Sequence, residues 1–305
     1  MNRITVAQIE AFYWTATLGS VDGAARRLSL SQPTISLRLK ALERETGVPL
    51  FQRVGRGLRP TPDGYEFLPE ARSILDGMER LAGRGGPVRV RGTIRVGFAE
   101  GFALICLSKT LDLLHQLYPD LKPELVVATT FAVEPELHAH RLDLAFLVEP
   151  TEISDFTLVP LGAQETCWIA STKWSLPALV SPHDLANLPI ITNPEGSINY
   201  RQIREWFASA GITPARLDIC NSVAMLAHVV VAGVAIGIYP SKMAEEDVRA
   251  GAVRLLRTSP PVADTPIYAK FAKRNGSPNV RAFIATVRQV LANMDYLTNV
   301  GRNSE

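Results

Sequence analysis

Residues 19–53 read GSVDGAARRLSLSQPTISLRLKALERETGVPLFQR, and this stretch decides the first part of the fold. Gly19 can end a helix in the left-handed conformation, and Ser20 can cap the next one. That next helix, from Val21 to about Ser29, turns Ala24, Ala25 and Leu28 inward, and its two alanines permit close approach by a neighbour. Ser31 is a second N-cap with Pro33 in the first helical turn, where a missing N–H matters little. The helix it opens runs to about Thr46, before Gly47, with Ile35, Leu39 and Leu42 as its inward stripe. Upstream, Val6, Ile9, Phe12, Tyr13 and Ala16 mark one face of an earlier helix. Downstream, Gly55-Arg56-Gly57 follows Phe51-Gln52-Arg53 as a hairpin tip, or wing.

The outer face of the third helix carries the chemistry. At about 100° per residue, Pro33, Ser36, Leu37, Lys40 and Arg44 point away from the core, and Gln32 sits at the exposed N-terminal end. Hydroxyl and amide groups at a helix start can read base edges, and cations further along can meet phosphates. An arginine at a wing tip can enter the minor groove. A plain three-helix cap on a larger domain is the alternative reading of the same pattern. Charge leans toward DNA. Residues 1–92 carry 14 Lys and Arg against 9 Asp and Glu, and residues 93–305 carry 18 against 21, so a basic head of +5 joins a body of −3.

The string Gly19-Ser20, Ala24-Ala25, Leu28, Ser31-Gln32-Pro33-Thr34-Ile35-Ser36, Leu39, Leu42-Glu43, Gly47-Val48-Pro49-Leu50-Phe51 and Arg53, continuing into Leu58, Thr61-Pro62 and Gly64, resembles the winged helix-turn-helix of LysR-type transcriptional regulators. The resemblance spans about sixty residues without a gap. It implies base contacts from Gln32, Pro33 and Ser36, and phosphate or minor-groove contacts from Arg53 and Arg56. The candidate DNA-binding set is Ser31, Gln32, Pro33, Thr34, Ser36, Leu37, Arg38, Lys40, Arg53 and Arg56. One position departs from the family pattern: Leu37-Arg38 stands where many members carry arginine followed by a polar residue. An outward leucine cannot read guanine but can pack on a thymine methyl, and Arg38, on the helix flank, can reach a phosphate.

Thr61 caps a further helix that begins at Pro62. Phe67, Ala71, Ile74, Met78 and Leu81, spaced 4, 3, 4, 3, form a short heptad seam, with Pro69 expected to kink it. The same spacing suits an amphipathic helix packed on its own domain; the resemblance implies dimerisation through it. Gly83-Arg84-Gly85-Gly86-Pro87 reads as a hinge.

The remaining two hundred residues alternate strand and helix. Strand segments are expected at Thr93–Phe98, Leu125–Thr129, Leu144–Val148, Thr166–Ala170, Pro189–Thr192, Val234–Tyr239 and Thr265–Phe271. Helices are expected at Ala103–Leu117, Glu134–His140, Tyr200–Ala210, Ser222–Ala232 and Val280–Leu297. This alternation predicts βαβ units and a parallel sheet. In such folds ligands bind beyond the strands' carboxyl ends, at helix N-termini. That places candidate effector contacts at Glu100, Gly101, Phe102, Thr129, Thr130, Glu149, Asn193, Ser197 and Ser222, although Ser, Thr and Asn there can equally be simple caps. Resemblance implies an effector domain of two α/β lobes, like a type 2 periplasmic binding protein, supported by Arg141-Leu142-Asp143-Leu144-Ala145 and Val231-Ala232-Gly233-Val234-Ala235-Ile236. Gly101 and Val148 stand where some members hold aromatic acids with a hydroxyl and an arginine. If Glu100 and Glu149 both face the cleft, a cationic or amine-bearing effector is favoured over a dicarboxylate.

The expected division is therefore a winged helix-turn-helix over 1–60, a linker helix and hinge over 61–88, and an effector domain over 89–305. The effector domain's first lobe covers about 89–163 plus 266–305, and its second about 164–265. Catalysis has little to stand on. His115, His138, His140, His183 and His228 form no motif, and no His-Glu-x-x-His, Gly-x-Ser-x-Gly or Walker loop is present. Three scattered cysteines, Cys106, Cys167 and Cys220, make neither a disulfide framework nor a zinc cluster. No cofactor or metal is expected. No run of about 18 apolar residues exists, and the N-terminus lacks the apolar core of a signal peptide, so a cytoplasmic protein is expected. By resemblance, the partners are promoter DNA, a small effector, RNA polymerase, and the chain itself as a dimer or tetramer. A redox sensor of the same fold, with Cys106 or Cys220 reactive, and a small-molecule-binding protein without DNA function are the alternatives.

Overall fold

The computed structural model describes residues 4–54, 57–82, 90–294 and 296–298. The chain divides into two units, 1–89 and 90–305. In the first, α1 (Val6–Leu18) opens with a reciprocal capping box. Thr5 N donates to Gln8 Oε1 at 2.7 Å, and Gln8 N donates to Thr5 Oγ1 at 3.3 Å. Gly19, at φ +67°, ends that helix, and Ser20 Oγ accepts from Gly23 N at 3.0 Å to start α2 (Val21–Leu28). Ser31 likewise caps α3 (Gln32–Thr46), which stops at Gly47 with φ +77°. Ile9, Ala11, Phe12, Ala24, Ala25, Ile35, Leu39 and Leu42 close into one core. Phe12 sits at its centre, 5.2 Å from the Phe51 ring and 5.0 Å from Phe67.

The wing follows as β1 (Phe51–Val54) paired antiparallel with β2 (Gly57–Pro60); its tip, Gly55 and Arg56, lies outside the described residues. Glu43 ties the end of α3 to the wing, accepting from Leu50 N at 2.8 Å and Phe51 N at 3.2 Å. Thr61 Oγ1 donates to Pro49 O and accepts from Gly64 N, opening α4 (Pro62–Ala82). Gly64 has no room for a side chain, since a Cβ there would run into the Leu50 carbonyl oxygen. The helix runs as one element through Pro69. Its seam divides. Phe67 and Ala71 pack on the head's own core, whereas Ile74 and Met78 are exposed. The side chain of Leu81 and the whole 83–87 hinge lie outside the described residues.

The second unit holds two five-stranded sheets. The chain runs β3 (Gly92–Ala99), α5 (Glu100–Leu117), β4 (Leu121–Ala128), α6 (Thr130–His138), β5 (Leu144–Val148) and β6 (Phe156–Gln164). It then crosses into β7 (Thr166–Ser171), α7 (Pro182–Leu185), β8 (Pro189–Thr192), α8 (Ile198–Ala208), β9 (Arg216–Ile219), α9 (Val223–Val231), β10 (Ile236–Pro240), α10 (Glu245–Arg249) and β11 (Val253–Leu255). It returns through β12 (Thr265–Ala272) and α11 (Pro278–Ala292). The sheet orders are β4-β3-β5-β12-β6 in lobe I and β11-β7-β10-β8-β9 in lobe II. Both crossings sit together, Thr166 Oγ1 lying 3.2 Å from Thr265 Oγ1.

The sheets are mixed, not parallel as expected. β12 returns from lobe II antiparallel to β5 and β6, and β7 and β11 run antiparallel in lobe II. The strand β6 escaped the sequence reading because Pro160 and Gly162 interrupt it. It is an edge strand with a register shift, where both residues are tolerated. No helix among the described residues is long and apolar enough to cross a membrane.

Candidate functional site: recognition helix and inter-lobe cavity

The burial of Ile35, Leu39 and Leu42 fixes which side of α3 faces out. Ser31, Gln32, Pro33, Leu37 and Lys40 are exposed, and Thr34, Ser36 and Arg38 are half-buried. Ser31 and Thr34 are engaged with each other, Oγ to Oγ1 at 2.8 Å, and Ser31 also caps the helix. Gln32 Nε2 donates to Asp22 Oδ1 at 3.1 Å, which holds the amide at the helix start. Leu37 is 69% exposed. Arg38 turns back along the flank, Nη1 reaching Ala7 O at 3.5 Å. Arg53 is exposed on β1. Arg56 lies outside the described residues. The helix therefore presents Gln32, Pro33, Leu37 and Lys40 on one open surface, with Ser36 beside them.

In the second unit, a cavity of about 260 Å³ opens between the lobes. It forms where strand ends meet helix N-termini. β3 delivers Glu100 and Gly101, and β4 delivers Thr129, Thr130 and Phe131. β5 delivers Val148 and Glu149, and β8 delivers Asn193 and the turn to Ser197. Two of these helices, α5 and α6, have no side-chain hydrogen bond from their N-cap residues Ala99 and Thr129. Asn193 and Asn199 brace each other and the loop behind. Asn199 Nδ2 donates to Asn193 Oδ1, and Asn193 Nδ2 to Cys220 O, each at 2.9 Å.

Of the sequence-derived candidates, Glu100, Gly101, Thr129, Thr130, Glu149, Asn193 and Ser197 line this cavity. Phe102 does not. Its ring is fully buried in lobe I, stacked toward Phe98 and Tyr296, because one step along a helix turns a side chain about 100° from its neighbour. Ser222 is not in the lining either. It caps α9 and donates to Glu100 Oε1 at 2.8 Å.

Both acidic candidates reach the cavity, and both are engaged there. Glu100, on lobe I, also accepts from Val223 N at 2.7 Å and Ala224 N at 3.3 Å, so its carboxylate caps the lobe II helix α9. Glu149 pairs with Arg201 of α8, across the same cleft. Glu149 sits at φ +43°, a left-handed conformation that no sequence pattern signals for glutamate. Both carboxylates thus face the cleft, the condition on which a cationic effector was expected, but each is already engaged by groups of the second lobe.

Sequence reading missed part of the wall. Phe131, 66% exposed, crosses to Gly196, where a Cβ would meet its ring at 3.2 Å. Glu134 and Thr151 belong to a buried ionic cluster beneath the cavity. Lys270 is fully buried and donates to Glu134 Oε1 at 2.6 Å, to Thr151 O at 2.6 Å and to His138 Nε2 at 2.8 Å. Glu134 also accepts from Thr151 N at 2.8 Å, pinning the chain after β5. Burial, reinforced by the Lys270 ammonium, lowers the His138 pKa and keeps its ring a neutral acceptor. A lysine inside a strand signals an edge or a solvent face, so nothing in the sequence marked Lys270 as buried. Burial also pushes the Cys106 and Cys167 thiols up to about 12.

Two family models match the chain. The family model of the LysR substrate binding domain matches residues 88–292, and that of the bacterial regulatory helix-turn-helix protein, lysR family, matches residues 6–65. The HTH-type transcriptional regulator YwqM of Bacillus subtilis is 27% identical over 276 residues, covering 87% of this chain and 92% of the relative. A full-length OxyR variant from Pseudomonas aeruginosa shares the fold with a TM-score of 0.76 at 19% identity, over 95% of each chain. A full-length CbnR in complex with its target DNA aligns with a TM-score of 0.57 at 22% identity, covering 94% of this chain and 99% of that one. The chain belongs to the LysR family of transcriptional regulators, a family of DNA-binding proteins with an effector-binding domain rather than of enzymes.

Proposed function

We propose that this regulator reads an interrupted palindrome near a promoter with paired heads, under control of a small molecule held between its lobes. The cavity carries the proposal. It lies at strand ends and helix N-termini, where open α/β sheets bind ligands. Its volume is below the roughly 300–1,000 Å³ of drug-sized pockets, which suits a small metabolite. With Glu100, Glu134 and Glu149 all partnered, the lining offers hydroxyls, amides and the uncapped starts of α5 and α6. These groups favour a polar ligand bearing hydrogen-bond acceptors. A ligand shifts the lobes only through its differential affinity for their arrangements, and here it competes with the Glu100 and Glu149 bridges.

In this reading the head is residues 1–60, and the exposed Ile74 and Met78 of the linker helix pair with a second copy. Gln32, Pro33 and Ser36 meet base edges, with Lys40, Arg53 and Arg56 on the backbone or minor groove. Arg38, turned toward α1, meets a phosphate at the groove edge. Ser31 and Thr34 shape the helix start. Two dimers forming a tetramer, and contact with RNA polymerase, complete the assembly. Action on promoter DNA places it in the cytoplasm. The likeness to OxyR concerns the fold alone, and the raised thiol pKa values of Cys106 and Cys167 work against a redox role for them.

A thermal-shift screen of metabolites on the purified chain tests the effector. A true ligand raises the melting temperature in a concentration-dependent way, by mass action. A shift that persists in a Thr129→Trp variant, which fills the cavity, contradicts the assignment of the site.

A further inference from the structure

We propose that Leu37 selects thymine, through its C5-methyl group, at one position of each half-site. The inference rests on the head binding duplex DNA through α3. The buried stripe of α3 is complete without Leu37, since Ile35, Leu39 and Leu42 fill the core at 7% exposure or less. Leu37 stands on the opposite face, 69% exposed. It is one turn after the exposed Pro33 and one turn before the exposed Lys40, with exposed Arg44 beyond. Pro33 and Leu37 thus form an apolar step on the outer face, between the polar helix start at Gln32 and the cations Lys40 and Arg44.

That division has a chemical counterpart in the major groove. Base edges there display ring nitrogens, carbonyl oxygens and amino groups, and only one apolar group, the methyl of thymine. A leucine held against guanine, cytosine or adenine strips water from donors and acceptors and returns no hydrogen bond. Held against thymine, it buries a methyl. The polar groups nearest to Leu37 do not compete for the same spot. Ser36 is half-buried, and the Gln32 amide is already held by Asp22 at the helix start.

The test starts from a random duplex pool selected with the full chain. Each thymine of the enriched site is then replaced by deoxyuridine, which removes only the methyl. One symmetric pair of positions is expected to lose about fourfold in affinity per methyl removed. Leu37→Ala should bind thymine and deoxyuridine equally at that pair, and lose more affinity on the enriched site than on random DNA. Leu37→Arg should move the preference there toward guanine. Deoxyuridine tolerated at every position overturns the proposal and leaves DNA binding by the head intact. So does a discrimination that survives in Leu37→Ala, or an Ala variant altered only in oligomeric state. A pool that yields no enriched sequence contradicts the proposal together with sequence reading by the head.

Discussion

The recognition face of α3 and the inter-lobe cavity hold their functional groups in opposite conditions. On α3, Pro33, Leu37 and Lys40 stand exposed, and the groups that are engaged, Ser31 and Gln32, are held by partners within the same head. In the cavity, the carboxylates are already engaged by other groups of the second unit. Glu100 caps α9, Glu149 meets Arg201, and Glu134 holds the buried Lys270. The first surface is preformed for a rigid ligand. In the proposed function, a ligand entering the second competes with the two bridges that join the lobes, Glu100 to α9 and Glu149 to Arg201.

The largest effect is expected where the contrast is sharpest. Lys270→Met leaves the Glu134 carboxylate buried without its cation and should destabilise the second unit by about 3–5 kcal/mol, read by calorimetry. Adding Glu134→Leu to the same chain should recover a good part of that loss, because an apolar pair needs no charge compensation. Unchanged stability in the single variant would mean that Lys270 is not held as described.

On the head, Gln32→Ala should weaken operator binding by about 1–3 kcal/mol and leave random DNA nearly unaffected. Lys40→Ala should weaken both alike and flatten the salt dependence by about one unit of slope. Equal losses on both DNAs for both variants would erase the distinction between a reading group and a phosphate contact.

Next comes the lobe bridge. Glu100→Gln removes the charge from three hydrogen bonds, an effect of roughly 1–2 kcal/mol. Hydrogen exchange at the Val223 and Ala224 amides should speed up by about tenfold, while amides in α3 keep their rates. Protection that stays the same in the variant would show that the bridge does not hold the lobes.

The smallest effect is in pH. His138 has a pKa below its ordinary 6.5, so the unfolded chain takes up this proton first as the pH falls. The stability it contributes is complete above 6.5 and is lost as the pH drops from there toward the folded value. His138→Gln should remove that slope, measured as melting temperature between pH 7.5 and roughly 5. A slope of the opposite sign would place a charged imidazolium beside Lys270.

The two regions also differ in how far the sequence exposes them. The head is local. Caps at Ser20 and Ser31, left-handed glycines at 19 and 47, and a buried stripe at i, i+4, i+7 are all set within a turn or two, so its helices follow from spacing alone. The cavity is not local. Glu100 meets Val223, and Lys270 meets Glu134, only because β12 returns from lobe II beside β5, and that crossing has no signature in the chain's periodicity. Helix starts are legible as candidate sites, and Thr129, Thr130, Asn193 and Ser197 do line the cavity. Whether a side chain one step further along turns inward, as Phe102 does, or is consumed by a partner 123 residues away, as Glu100 is, depends on packing that only the assembled lobes contain. The seam of α4 shows the same limit. One spacing served two surfaces, with Phe67 and Ala71 on the head and Ile74 and Met78 exposed.

The most direct measurement is operator binding by the full chain, with and without a small-molecule extract of its host cells, in the wild type and in Thr129→Trp. The account predicts that the extract alters the affinity, footprint or bend of the wild-type complex, and that the filled cavity abolishes this response while leaving unliganded DNA binding in place. A wild-type complex indifferent to the extract, or a response that survives with the cavity filled, would contradict it.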